Sequence, residues 1–259
     1  MPAPRRRALA VSAALAAVLG TSLPTLPALA ASAPELVNAP MVATSPHLTG
    51  PHGTPITQGT STNWSGYAAT GQKFTNVSAS WVEPAGLCTD TDTWSSFWVG
   101  LDGDGSDSVE QTGSEVDCSG GEPQYYSWYE MYPAYPVMFS NDVAPGDHFT
   151  ASVTEDTGGA FTLKLSDTTQ GWSHTIHKTL KSAALASAEI IAEAPSTAQG
   201  PLPLADFDKV DFTGATANGK PIGTFSPENI TMAARNGTVL ASTSPLTGGD
   251  AFSVTWHHS

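Results

Sequence analysis

From Asn63 onward the chain is cut into short apolar and β-branched runs by glycine, aspartate, asparagine and proline. Ten runs stand out: residues 74–82, 95–101, 125–132, 148–154, 160–166, 172–180, 186–193, 226–233, 238–242 and 252–256. Runs of this length, rich in Val, Ile, Thr, Tyr, Phe and Trp and bounded by turn-forming residues, read as strands. Many short strands at this spacing predict an all-β fold, an antiparallel double-sheet β-sandwich of the lectin-like jelly-roll kind. About 200 residues suffice for one such domain. Helix signal is confined to the leader and to residues 181–188, where alanines favour helix until Pro195 ends it. No internal repeat is present.

The domain spans residues 61–259, and what precedes it has a different composition. Arg5, Arg6 and Arg7, an apolar run over residues 8–20 and Ala28-Leu29-Ala30 form a signal peptide over residues 1–30, of the kind a bacterial exporter carries. A secreted, extracellular protein is expected. Residues 31–60 are rich in Pro, Thr, Ala and Gly, hold His47 and His52, and read as a propeptide or flexible linker. Loss of the leader leaves seven Lys and Arg against 24 acids, a net charge of −17. Nucleic acid and anionic membranes are therefore not expected partners, and a monomer is expected. Few cations also means weak self-repulsion once the carboxylates are protonated, so tolerance of acid is expected.

Cys88 and Cys118 are the two cysteines. In an oxidising compartment they are expected to form one disulfide, whose loop contributes roughly 3–4 kcal/mol on the chain-entropy model. Neither has a second Cys or a His at metal-ligand spacing, and no cofactor or metal is expected. Gly-Asp-Gly-Ser at 103–106 lacks the spacing of a calcium loop and reads as a turn. Asp156-Thr157-Gly158 stands alone, without a second copy, and reads as a hairpin turn. No histidine lies near a serine with an activating signature. Gln111 is a neutral amide between Val109 and Gly113, in a segment that reads as strand; glutamine is a poor strand former and a poor core residue, so it either faces solvent or has work to do.

Several segments in order resemble the glutamic peptidases, or eqolisins. Asn63-Trp64-Ser65-Gly66 is similar to the family's opening motif, and the stretch from Phe74 to Pro84 to its first long strand. Trp98-Val99-Gly100-Leu101-Asp102-Gly103-Asp104 followed by Gln111-Thr112-Gly113 resembles the segment with the catalytic glutamine. Tyr126 to Pro133 resembles an aromatic strand, and Ala188-Glu189-Ile190-Ile191-Ala192-Glu193 the strand bearing the catalytic carboxylate. The resemblance implies an acid-acting endopeptidase on polypeptide substrates, with Gln111 and Glu193 as its catalytic pair. Glu189 lies four residues away on the same strand face, about 13 Å distant, and stands as the alternative carboxylate.

That pairing is chemically coherent. A carboxylate takes a proton from water and returns it to the leaving amine, provided hydrogen bonds hold its charged form in acid. A glutamine amide donates to the developing oxyanion at any pH. Trp64, Trp98, Trp128 and Tyr132 are expected to line a cleft for an extended peptide, with Asp102 and Glu130 orienting Gln111 and the water. The competing readings are a carbohydrate-binding sandwich that stacks sugars on exposed tryptophans, and an inactive peptidase relative.

Overall fold

The computed structural model describes residues 35–42 and 58–259; the leader and most of residues 31–60, His47 and His52 included, lie outside the described residues. The chain begins with β1 (Gln58–Ser61), β2 (Trp64–Ala69), β3 (Asn76–Val82), β4 (Thr93–Leu101), β5 (Val109–Ser119) and β6 (Glu122–Tyr132). It continues through β7 (Val137–Met138), β8 (His148–Thr157), β9 (Ala160–Asp167), β10 (Trp172–Thr179), β11 (Ala188–Glu193), β12 (Ser196–Thr197) and β13 (Gly200–Pro201). The last strands are β14 (Lys209–Ala217), β15 (Lys220–Pro221), β16 (Glu228–Ala233), β17 (Val239–Thr243) and β18 (Phe252–Trp256). Among the described residues the helical content is one 3-10 turn, Ile222–Phe225.

Hydrogen bonds run along a single path, β10-β9-β8-β3-β14-β18-β17-β16-β2-β11-β4-β5-β6-β7, antiparallel at every step, with β1 parallel beside β16. The path curls on itself into a β-sandwich. Val77, Trp81, Phe149, Leu163 and Phe212 from one layer pack against Tyr67, Phe97, Val99 and Ile190 from the other in one apolar cluster. Strands of the first layer show the alternation that a half-buried sheet requires; β3, for example, buries Val77, Ala79 and Trp81 and turns Ser78 and Ser80 outward. In the second layer β2 and β11 are buried at every position, on both faces. Their second face is the one that carries chemistry.

Cys88 and Cys118 are bonded, Cα to Cα 5.3 Å, tying the approach to β4 to the end of β5. The triplet at Asp156 is a hairpin turn: Thr157 pairs Ala160, and Gly158 and Gly159 take φ of 64° and 81°, the left-handed conformations of a two-residue turn. The expected helix at residues 181–188 is absent. Asp102 accepts the backbone N–H groups of Leu185 (2.9 Å) and Ala186 (2.7 Å), and Leu185 O accepts from Phe74 N (3.0 Å). These long-range bonds override alanine's modest helix propensity. Strand β14 escaped the reading because Gly214, at φ 60°, sits in a register shift between Thr213 and Thr216, and the bulge breaks the period-two pattern.

Candidate active site

Strands β2, β11, β4, β5 and β6 lie side by side, and the face turned away from the main core holds a second buried cluster of Trp64, Ala68, Trp98, Val109, Trp128, Ile191 and Ile230. Register sets the rows on that face. Glu189, Gly100, Gln111 and Glu130 stand abreast on β11, β4, β5 and β6. Four residues along, Glu193, Ser96 and Glu115 form a parallel row, with Ile191, Trp98, Gly113 and Trp128 between. Period two puts all of them on one face. The glycines make room for Trp98: a Cβ on Gly100 would lie 2.8 Å from its indole, and one on Gly113 2.6 Å from its Cβ. The ring therefore lies across the face, and its Nε1 donates to Glu193 Oε2 at 2.8 Å.

Residues 35–42 cross this face. Val37 exchanges two backbone bonds with Ser196, 2.9 and 2.7 Å. Gln111 Nε2 donates to Asn38 O at 2.6 Å and to Glu130 Oε2 at 2.7 Å. Asn38 N donates to Glu130 Oε2 at 3.3 Å, and Ala39 N to Glu193 Oε1 at 3.0 Å. Trp64 Nε1 donates to Ala39 O at 3.0 Å, and Val42 N to Asn63 Oδ1 at 2.9 Å. One peptide group, the one joining Asn38 to Ala39, thus has its carbonyl oxygen on the Gln111 amide and its N–H on the Glu193 carboxyl. Two side chains from rows about 13 Å apart converge on a single peptide bond.

The carboxyls here are dry. Burial drives Glu193 well above the usual carboxylate range, and the nearby charge of Glu130 adds to it, against donors from Trp98, Ala39 and Asn63. Glu130 is pushed up to about 8, first by burial, opposed by Gln111 and by Asn38 N–H. Burial first, and Asp117 second, also lift Glu115, with Glu193 and Glu130 adding to the effect. Hydrogen bonds were expected to hold Glu193 in its charged form. With the segment seated, desolvation outweighs three donors.

Of the two candidate carboxyls, Glu193 touches the seated peptide; Glu189 is buried elsewhere on the face, where Asp104 and Asp102 are the charges that act on it. Glu130 is fully buried against Gln111, not on an exposed strand edge. Trp64 and Trp98 aim their indole N–H groups into the site, Trp128 packs in the same cluster, and Tyr132 lies against it. Asp102 requires a correction: both its oxygens accept backbone N–H groups of Leu185 and Ala186, so it braces that loop and does not orient Gln111. Three contacts were missed. Asn63 donates to Glu193 Oε1 at 3.4 Å. Its Asn-x-Ser pattern suggests a glycan acceptor, yet it is fully buried, and its signal was its place in the opening motif. Ser96 Oγ donates to Asn38 Oδ1 at 2.7 Å, and a strand serine carries no signal. Asn38 and Ala39 lie in a stretch whose composition reads as a linker.

A β-sandwich that brings an amide and a carboxyl to the two ends of one peptide group has the layout of a peptide-bond hydrolase. The Peptidase A4 family model matches residues 62–256, and the chain belongs to that family, the glutamic peptidases; it is a glutamic endopeptidase. It is similar to aspergillopepsin-2 of Aspergillus niger, 28% identical over 76% of this chain and 78% of the relative. The fold is shared with scytalido-glutamic peptidase bound to a transition state analog inhibitor, at a TM-score of 0.66 and 24% identity, over 76% of this chain and 98% of the other. It is also shared with aspergilloglutamic peptidase from Aspergillus niger, at 0.55 and 28% identity, over 64% and 99%.

Proposed function

We propose that this chain is a secreted endopeptidase that hydrolyses peptide bonds in acid, with Glu193 as general base on water and Gln111 as the oxyanion donor. The observation that carries the reading is the convergence of both side chains on one peptide group. Water attacks the carbonyl carbon while Glu193 takes its proton. The carbonyl oxygen gains charge against the Gln111 amide, a contribution of about 3–4 kcal/mol to the transition state. As the C–N bond breaks, Glu193 passes the proton to the leaving nitrogen, beside which it already sits. Glu130 fixes the amide through its bond to Nε2. In acid Glu130 keeps its proton, so its charge does not oppose ionisation of Glu193. Once the cleft opens to water the desolvation of Glu193 falls, and the Trp98 and Asn63 donors that favour its charged form stay in place.

Export follows from the leader over residues 1–30. The transition state analog in one structural relative, and a tripeptide Ala-Ile-His in another, an eqolisin with a TM-score of 0.62 and 23% identity over 76% of this chain and 98% of that one, are consistent with a polypeptide substrate. The carbohydrate reading needs exposed aromatic platforms, and none of the seven tryptophans is exposed. Incubating the full chain with denatured casein from about pH 2 to about pH 7, beside a saccharide-binding assay, tests the proposal. Digestion confined to acid is expected. Saccharide binding without digestion at any pH would overturn it.

A further inference from the structure

We propose that a cavity lined by Thr62 is a second seat for polypeptide substrate, which takes an apolar residue about five or six positions beyond the cleaved bond together with the chain's C-terminal carboxylate. The proposal rests on the reading of Gln111 and Glu193 above, because that pair fixes the bond from which positions are counted. Residues 35–42 mark the path of a polypeptide across the cleft. The peptide group held by the pair joins Asn38 to Ala39, so Val42 is the fourth residue beyond it. Val42 N donates to Asn63 Oδ1 at 2.9 Å. Val42 O accepts from Thr62 N at 2.8 Å and from Thr62 Oγ1 at 3.3 Å. A chain that leaves the cleft by this route is delivered to Thr62.

The cavity holds about 530 Å³, within the size range of ligand sites. Leu202, Pro203, Leu204 and Leu240 line it with apolar side chains, and Arg235 lines it with a cation. Backbone bonds fix both contributing segments. Trp94 N donates to Pro203 O and Ala205 N to Trp94 O, each at 2.9 Å, tying residues 203–205 to β4. Ala234 N donates to Thr238 O and Gly237 N to Ala234 O, each at 2.8 Å, closing the turn that carries Arg235. No acid lines the cavity, in a chain with 24 acids. Arg235 is the one arginine after the leader, and it makes no ion pair among the described residues. An apolar lining beside an unpaired guanidinium fits an apolar residue with a carboxylate next to it. In acid the substrate's α-carboxyl is the one that stays ionised furthest, with an ordinary pKa of about 3.3–3.7 against about 3.9–4.3 for its side chains. Two residues beyond Val42 span about 7 Å, which sets the positions.

The test uses the full chain carrying Asn38→Arg, in which a long cation replaces a side chain that is 2% exposed against Ser96 Oγ, so that residues 35–42 leave the cleft. The peptides share one cleavable bond and the four residues beyond it. They then end in Leu-Leu with a free carboxylate, Leu-Leu amide, Leu-Glu amide, or Ser-Ser with a free carboxylate, and KM is measured at about pH 4.5, where the α-carboxylate is ionised. Relative to the Leu-Leu acid, KM is expected to rise about fivefold or more for both amides and about tenfold or more for Ser-Ser. Adding Arg235→Gln is expected to make the Leu-Leu acid and amide equal while the preference for Leu over Ser persists. Calorimetric titration of the same peptides into the chain with Asn38→Arg and Glu193→Gln reports the same differences without hydrolysis. Equal values for acid and amide, a difference that survives Arg235→Gln, full recovery by the Leu-Glu amide, or no binding of any peptide would each overturn the proposal. Binding with the expected differences but no hydrolysis of any peptide by the folded chain with Glu193 intact would overturn the catalytic roles and leave the second seat standing.

Discussion

Glu193 shows how one side chain is tuned by several neighbours that sequence spacing does not reveal. Its Oε2 takes the Trp98 indole N–H, its Oε1 takes Ala39 N–H and Asn63, and the adjacent Glu130 opposes its charge. Trp98→Phe removes the shortest of these donors. A hydrogen bond to a charged group contributes roughly 1.5–3 kcal/mol, so its loss raises the Glu193 pKa. The limb of the kcat–pH profile that reports its ionisation is expected to move upward, and an unmoved limb would exclude the donor role. Gln111 was legible through the resemblance of its segment to the glutamic peptidases; in Val-Glu-Gln-Thr-Gly an amide by itself suits a solvent-facing position equally well. Asp102 misled because turn aspartates look alike in sequence, whether they serve a catalytic amide or, as here, the N–H groups of Leu185 and Ala186.

At the scale of elements, most strands could be read from composition and turn residues, and the boundaries of β4, β8, β9 and β18 differ from expectation by three residues at most. Two of the failures have a visible physical cause: Asp102 drew residues 185 and 186 out of helix, and a bulge at Gly214 hid β14; β2 also lies outside the ten runs. Register could not be read from the sequence, yet register is what sets Gln111 abreast of Gly100 and Glu193 abreast of Ser96. The glycine on β4 illustrates its consequence. Gly100→Ala adds a methyl 2.8 Å from the Trp98 indole and 3.2 Å from Gln111 Cβ, at a backbone conformation that alanine tolerates. Overpacking of this kind costs about 1–3 kcal/mol. Since Trp98 and Gln111 are what must move, kcat is expected to fall tenfold or more, with a thermal midpoint lowered by only a few degrees. Unchanged kcat would show that the close approach does not position the pair.

The whole molecule is built to carry protons. Ten of its 24 acids are buried, and no lysine, arginine or histidine is buried among the described residues. Burial pushes Glu83, Glu110 and Glu130 up to about 8 and Asp117 to about 7, and lifts Glu115, Glu189 and Glu193 as well. A raised folded-state pKa means that the native protein holds protons that the unfolded chain releases. The associated stability is fully present below about pH 4.5 and is lost as pH rises through about 8. The low count of cations led to an expectation of acid tolerance from composition alone; the buried carboxyls act in the same direction, and composition does not reveal them. Calorimetry on E193Q, in which the proposed general base is removed and digestion during the scan is avoided, should show the highest thermal midpoint in acid and a fall on the order of 10 °C between about pH 5 and about pH 8. A maximum at neutral pH would contradict this. The central claim, that Glu193 and Gln111 act on one peptide bond, is tested most directly by kcat for peptide hydrolysis in acid, with residues 35–42 unseated in every variant by Asn38→Arg, which sets a long cation where Asn38 is buried against Ser96. The account predicts a loss of ~10³-fold or more for Glu193→Gln and of ~10²–10³-fold for Gln111→Ala, both in folded protein; a loss below about tenfold in Glu193→Gln would contradict it.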